Sequence, residues 1–187
     1  MKIEKTFIPD LLIIHPDLYS DERGYFFESY SQRRFLENGL QLEFVQDNIS
    51  RSVKNTIRGL HYQVGENAQG KLCQVIYGKA LDVAVDIRFN SPTFGKYFAI
   101  ELSEENHTQL WIPPGFAHGF AALSDFVIFH YKCTAFYSKK DERGIRYDDK
   151  LLSVNWGIEN PIVSEKDLSL KNFNEIEKDF FFKGGNK

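Results

Sequence analysis

Between Phe44 and Gln63 the chain sets Gln46, Asn48, Arg58, His61 and Gln63 among apolar residues. A strand with this many polar groups must satisfy them through one another, water or a ligand. Strict alternation sends Arg58 and His61 to opposite faces; Gly59 between them reads as a bulge that restores a shared face. Taken singly, His61 reads first as a hydrogen-bonded structural histidine and second as a general base. Tyr131 shares its alternation with Val127, Phe129 and Cys133. It reads first as a core tyrosine with a paired hydroxyl and second as a proton donor aimed into a cavity. Asp167 stands three residues after Ser164, near the capping-box spacing. It belongs either to a helix cap or to a carboxylate that orients a histidine.

Two motifs are incomplete. Gly65-x-x-x-x-Gly70-Lys71 looks like a phosphate-binding loop, but Leu72 follows where Ser or Thr is needed, and the next residues read as strand. An NTPase is rejected, and Lys71 remains as a cation or a solvated loop lysine. Pro113-x-Gly115-x-x-His118 matches the second half of the cupin metal pattern, whose first half gives His-x-His; here it is His61-Tyr62-Gln63. A transition metal wants about three nitrogen or carboxylate ligands, so two histidines disfavour a metal site.

The elements that must position these residues are mostly strands. Gln74–Tyr77, a turn at Gly78-Lys79 and Ala80–Arg88 read as a hairpin. In its second arm Leu81, Val83, Val85 and Ile87 alternate with Asp82, Ala84, Asp86 and Arg88, the period of a half-buried strand. Tyr97–Leu102, Gln109–Ile112 and Phe126–Tyr137 are further strands. One helix runs from a Ser31 cap through Arg34-Phe35-Leu36 to Gly39. A second starts at Ser164 with Leu168, Phe173 and Phe180 as its apolar side. Many short strands and few helices point to a β-sandwich or barrel. The 187 residues suit one domain, 1–187, with a tail after about residue 173 that is peripheral. Lys plus Arg is 23 against 26 Asp plus Glu, a net charge of −3, which argues against nucleic acid as a partner. No apolar run is long enough to span a membrane, and two cysteines with no leader point to the cytoplasm.

Eight segments in order resemble the dTDP-4-dehydrorhamnose 3,5-epimerase family, over about Phe7 to Asp167. They are Asp21–Glu28, Phe44–Ser50, Ile57–Gln63, Asp82–Arg88, Ser91–Gly95, Pro114–Phe120, Tyr131–Cys133 and Ser164–Asp167. Tyr147 departs from the pattern, since the family usually has Trp there.

The resemblance implies a mainly β, cupin-type double-stranded β-helix (jelly roll) with a few short helices, working as a homodimer without cofactor or metal. It implies epimerisation at C3 and C5 of dTDP-4-dehydro-6-deoxy-D-glucose, giving dTDP-4-dehydro-L-rhamnose. By analogy His61 is the base, held by Asp167; Tyr131 is the acid on the opposite ring face; Lys71 stabilises the enolate oxygen. Arg23, Glu28, Gln46, Asn48, Arg58, Lys71, His118, Glu142 and Lys166 surround the nucleotide sugar, and Tyr137 stacks on thymine. The alternatives are a mono-epimerase of C3 or C5, a metal-dependent cupin, and a non-catalytic sugar-nucleotide binder. A matched acid and base argue against the last, because a pure binder needs neither.

Overall fold

The computed structural model describes residues 1–184. In chain order the elements are β1 (Lys2–Lys5), β2 (Leu12–His15), β3 (Tyr19–Asp21), β4 (Gly24–Phe26), α1 (Gln32–Glu37), β5 (Gln46–Val53) and β6 (Ile57–Gln63). Then come β7 (Lys71–Tyr77), β8 (Lys79–Asp86), β9 (Tyr97–Ser103), β10 (Gln109–Ile112), β11 (Phe116–Ala122), β12 (Phe126–Cys133), β13 (Glu142–Gly144) and α2 (Glu165–Leu168). A six-stranded sheet has the order β1-β2-β10-β7-β12-β5, and a five-stranded sheet the order β13-β6-β11-β8-β9. All their strand pairs are antiparallel. The two sheets give the expected jelly roll, and β3–β4 stands apart as a two-stranded hairpin.

Alternation sorts the side chains into three apolar layers. Between the sheets lie Val75, Leu110, Val127 and Phe129 from one and Ala84, Leu102, Phe116 and Phe120 from the other. Phe120 and Phe129 stack across this space with centroids 4.1 Å apart. The outer face of the five-stranded sheet packs Ile57, Leu60, Val83 and Val85 under Ile145, Leu152 and Trp156. On the outer face of the other sheet, Leu72 and Trp111 meet Phe35 of α1.

Three expected elements differ. Lys71–Tyr77 and Lys79–Asp86 are not a hairpin: β7 pairs with β10 and β12, and β8 with β9 and β11, in the other sheet. Gly78, at φ +79°, carries the chain from one layer to the other. β8 is also buried on both faces, because His118 takes up Asp82 and Arg88 takes up Asp86. The helix after Ser164 stops at Leu168; Phe173 starts a separate 3-10 turn. The last long strand ends at Cys133, short of Tyr137. Ser31 does hold the N-cap position of α1, without a side-chain cap bond.

The tail is docked. Phe89 N–H donates to Phe180 O at 2.8 Å, and Phe182 N–H donates to Phe89 O at 2.9 Å. The Arg88 guanidinium, paired with Asp86 and Asp10, lies between the rings of Phe116 and Phe182. Gly185, Asn186 and Lys187 of that tail lie outside the described residues.

One close approach sets up the site. Gly59 on β6 faces Gly119 on β11, and a Cβ on Gly59 would lie 2.5 Å from Gly119 Cα. Gly59 also has φ +120°, a region L-residues avoid. Pairing of β11 with β6 shifts register between His118 and Phe120, the bulge expected at Gly59. Gly59→Ala is expected to destabilise the protein by about 2–4 kcal/mol through overpacking and backbone strain, measured by urea unfolding.

Candidate active site

The bulge turns Arg58 and His61 into one cavity of about 300 Å³ at the polar end of the inter-sheet space. Such a volume suits a small-molecule ligand. The five-stranded sheet contributes Arg58, His61 and His118; β7 and β12 of the facing sheet contribute Lys71 and Tyr131. The stacked Phe120 and Phe129 separate this end from the apolar core.

His61 is half-buried, and its Nε2 lies 2.7 Å from Asp167 Oδ1. A carboxylate only accepts, so Nε2 carries the proton and Nδ1 is left as the basic nitrogen. Both sequence readings of Asp167 hold. Ser164 Oγ accepts from the Asp167 backbone N–H at 3.1 Å, capping α2, while the carboxylate holds His61 and takes the Gly59 N–H at 3.2 Å. Burial pushes the Asp167 carboxyl up, but the bonds from His61 and Gly59 outweigh it and the net shift is downward.

Opposite stands Tyr131, whose phenol is pushed up to about 12, mainly by burial. It therefore stays protonated at neutral pH. Lys71 is buried beside it, with Nζ 5.6 Å from the ring centroid. His118 Nε2 is 2.6 Å from Asp82 Oδ1, and burial lowers its pKa although Asp82 opposes the shift.

A polar chain borders the cavity. Lys166, which lines it, pairs with Glu142 at 2.6 Å, and Glu142 accepts from Tyr137 Oη at 3.0 Å. Tyr137 N–H donates to Gln46 Oε1, and Gln46 donates to Asn48. Arg23 and Glu28 lie elsewhere. Arg23 pairs with Asp21 on the exposed β3–β4 hairpin, and Glu28 pairs with Arg34 of α1.

Sequence reasoning passed over Ser50, Ser52 and Asp82. Ser50 lines the cavity, and Ser52 Oγ accepts from Arg58 Nε at 3.0 Å. The signal was present: Gln46, Asn48, Ser50 and Ser52 alternate with Asp47, Ile49, Arg51 and Val53, so the polar face of β5 is the inner one. Among the described residues, Cys73, Asp82 and His118 form the one group of three metal-type ligands, with donor atoms within 4.8 Å of one another. Burial holds the Cys73 thiol well above its ordinary pKa, so it stays protonated, and His118 Nε2 is already committed to Asp82. These residues fit a hydrogen-bonded pair better than a metal site. Gln63, where a cupin ligand would stand, accepts the Ser138 N–H.

Along most of its length the chain matches a known family. Its model, described as dTDP-4-dehydrorhamnose 3,5-epimerase, matches residues 5–175. The dTDP-4-dehydrorhamnose 3,5-epimerase of Shigella flexneri is 52% identical over 182 residues, 97% of this chain and 99% of that protein. The crystal structure of dTDP-6-deoxy-D-glucose-3,5-epimerase from Legionella pneumophila, in complex with dTDP-4-keto-L-rhamnose, superposes with a TM-score of 0.93 at 45% identity, covering 98% of this chain and 99% of that one. A 3'-monoepimerase from Streptomyces bikiniensis in complex with dTDP-quinovose is more distant, with a TM-score of 0.85 at 27% identity, covering 90% of this chain and 86% of that one.

The depressed Asp167 carboxyl contributes stability that is complete above the ordinary carboxyl pKa of about 4 and is lost as pH falls through the lower folded value. Asp167→Asn removes that contribution. Urea unfolding from pH 7 down to about pH 3 is expected to show a shallower acid loss in the variant.

Proposed function

The chain belongs to the dTDP-4-dehydrorhamnose 3,5-epimerase family, and on that premise we propose that His61 and Tyr131 exchange protons with opposite faces of one sugar ring. The reaction epimerises C3 and C5 of dTDP-4-dehydro-6-deoxy-D-glucose to give dTDP-4-dehydro-L-rhamnose. The C4 ketone acidifies the C–H bonds at both carbons. His61 Nδ1 takes one proton, the C–H electron pair moves into the ring, and the carbonyl oxygen becomes an enolate oxygen. Asp167 stabilises the imidazolium that forms, and the Lys71 ammonium stabilises the enolate. Tyr131 Oη then protonates the same carbon from the other side, which inverts it. Proton exchange with water resets both groups before the second carbon reacts.

The observation that carries this reading is placement. His61 and Tyr131 line one cavity from two facing sheets, with the buried Lys71 beside Tyr131. Acid and base on opposite walls are what inversion requires. Arg58, His118 and Lys166 hold the nucleotide sugar from inside the cavity, and Gln46, Asn48, Tyr137 and Glu142 hold it at the border. Arginine suits a diphosphate because it binds bidentately, and Tyr137, 52% exposed, offers a face for thymine. The whole chain, 1–187, acts as one domain in the cytosol, with no bound cofactor.

We also propose that the protein works as a homodimer in which the β3–β4 hairpin of one protomer reaches the cavity of its partner. Tyr19, Tyr25 and Phe26 are exposed on that hairpin, and Ile49 is 71% exposed on the edge strand β5. Exposed apolar groups of this kind mark association surfaces. Closure of the dimer brings Arg23 and Glu28 to the sugar nucleotide.

Proton NMR of dTDP-4-dehydro-6-deoxy-D-glucose with the protein in heavy water is expected to show deuterium at C3 and C5 and inverted product. His61→Asn is expected to lose both by about 10²–10⁴-fold with binding retained, and Tyr131→Phe to lose inversion while exchange at C3 partly survives. Exchange at one carbon only makes the protein a mono-epimerase, and a near wild-type His61→Asn removes His61 as base. Sedimentation is expected to give a dimer, and Arg23→Ala to raise KM roughly tenfold at unchanged dimer mass. A monomer at assay concentration ends the hairpin reading.

A further inference from the structure

Asp82 is completely buried, and among the described residues its Oδ2 has no hydrogen-bond partner. An orphaned carboxylate oxygen in a protein interior destabilises the fold, so its retention calls for a reason. Its other oxygen makes one contact, at 2.6 Å, to Nε2 of His118. Cys73 Sγ is 3.7 Å from the same nitrogen, as a protonated thiol.

The chemistry of this pair fixes the imidazole. The carboxylate only accepts, so Nε2 must carry a proton. Burial, with Lys71 and His61 acting in the same direction, outweighs Asp82 and keeps the ring neutral at neutral pH. Among the described residues the second nitrogen, Nδ1, has no hydrogen-bond partner. Among the described residues, Ser50 Oγ and Asp82 Oδ2 are the sealed side-chain polar atoms without a partner. Nδ1 is therefore not sealed, and it opens onto the cavity that His118 lines.

We propose that Asp82 is a positioning residue that fixes His118 as the Nε2–H tautomer, so that Nδ1 presents a lone pair to a hydroxyl group of the bound hexose. The proposal rests on the epimerase reading above and assigns a division of labour within that site. A lone pair accepts from a hydroxyl and repels a ketone or enolate oxygen. Lys71, which can only donate, takes the C4 oxygen; His118 takes a neighbouring hydroxyl. The sugar is thereby oriented with its ketone toward the six-stranded sheet, where Tyr131 and Lys71 stand.

The test is the His118 tautomer, read by nitrogen NMR on the ligand-free protein, with the resonance identified by its absence in His118→Gln. The wild type is expected to show Nε2–H. In Asp82→Leu the buried Nε2–H has no acceptor, so the proton is expected to move to Nδ1, where water reaches it. KM for the dTDP-4-keto sugar is expected to rise about ten- to hundredfold with a smaller change in kcat. A merely structural Asp82 would move neither the tautomer nor KM. An imidazolium or an Nδ1–H ring in the wild type overturns the proposal, as does an Asp82→Leu protein in which either readout stays put. If Asp82→Leu does not fold, the wild-type tautomer decides. Failure of the epimerase reading shows separately, as wild-type protein that exchanges no substrate protons.

Discussion

The approach of Gly59 to Gly119 is the constraint on which the site depends. Side chains cannot fit where two backbones come this close, so β6 and β11 meet through glycine on both sides. The close approach coincides with the bulge in β6, and the bulge brings Arg58 and His61 to one side of a strand that would otherwise separate them. The same glycine donates its N–H to Asp167, so one backbone feature also places the carboxylate that holds His61. A Cβ at either position pushes the strands apart and disturbs all of these relations together.

The space between the sheets is a single layer with two characters. One end is filled by apolar side chains and closed by the Phe120–Phe129 stack; the other is lined by histidine, lysine, arginine and tyrosine. Groups held in such a place interact more strongly than in water. Burial pushes the Tyr131 phenol up and the His118 imidazole down. The two histidines each lean on a carboxylate from a different part of the chain. Asp167 comes from a helix packed after the sheets, Asp82 from the neighbouring strand. In each pair the carboxylate accepts from Nε2 and so fixes which ring nitrogen carries the proton.

Legibility in the sequence varied by element. Short apolar runs with a sharp stop, such as Gln109–Ile112 before Pro113-Pro114, were readable to the residue. The turn at Gly78 was readable too, but not its destination, because a glycine turn joins two strands of one sheet or of two sheets with equal local chemistry. Phe173 and Phe180 suggested a longer helix by spacing, yet each packs on the outer face of the five-stranded sheet as extended chain or a single turn. Alternation read β8 as a half-buried strand whose face opposite the apolar residues carries Asp82 and Asp86. They are buried because His118 and Arg88, distant in sequence, neutralise them in place.

The sequence by itself determined the residue types of the chemistry, the bulge at Gly59, the mainly β class and, through eight ordered segments, the family. These are local or linear properties: a glycine's freedom, a period of two, an order of motifs. Only the tertiary structure decided that His61 and Tyr131 stand on facing sheets, that Asp167 bonds His61 while its helix is capped by Ser164, and that Asp82 bonds His118. It also decided that Arg23 and Glu28 lie outside the cavity of their own chain. Each of these is a distance between residues far apart in sequence. Such distances are set by how the layers pack, and no run of neighbouring residues encodes them.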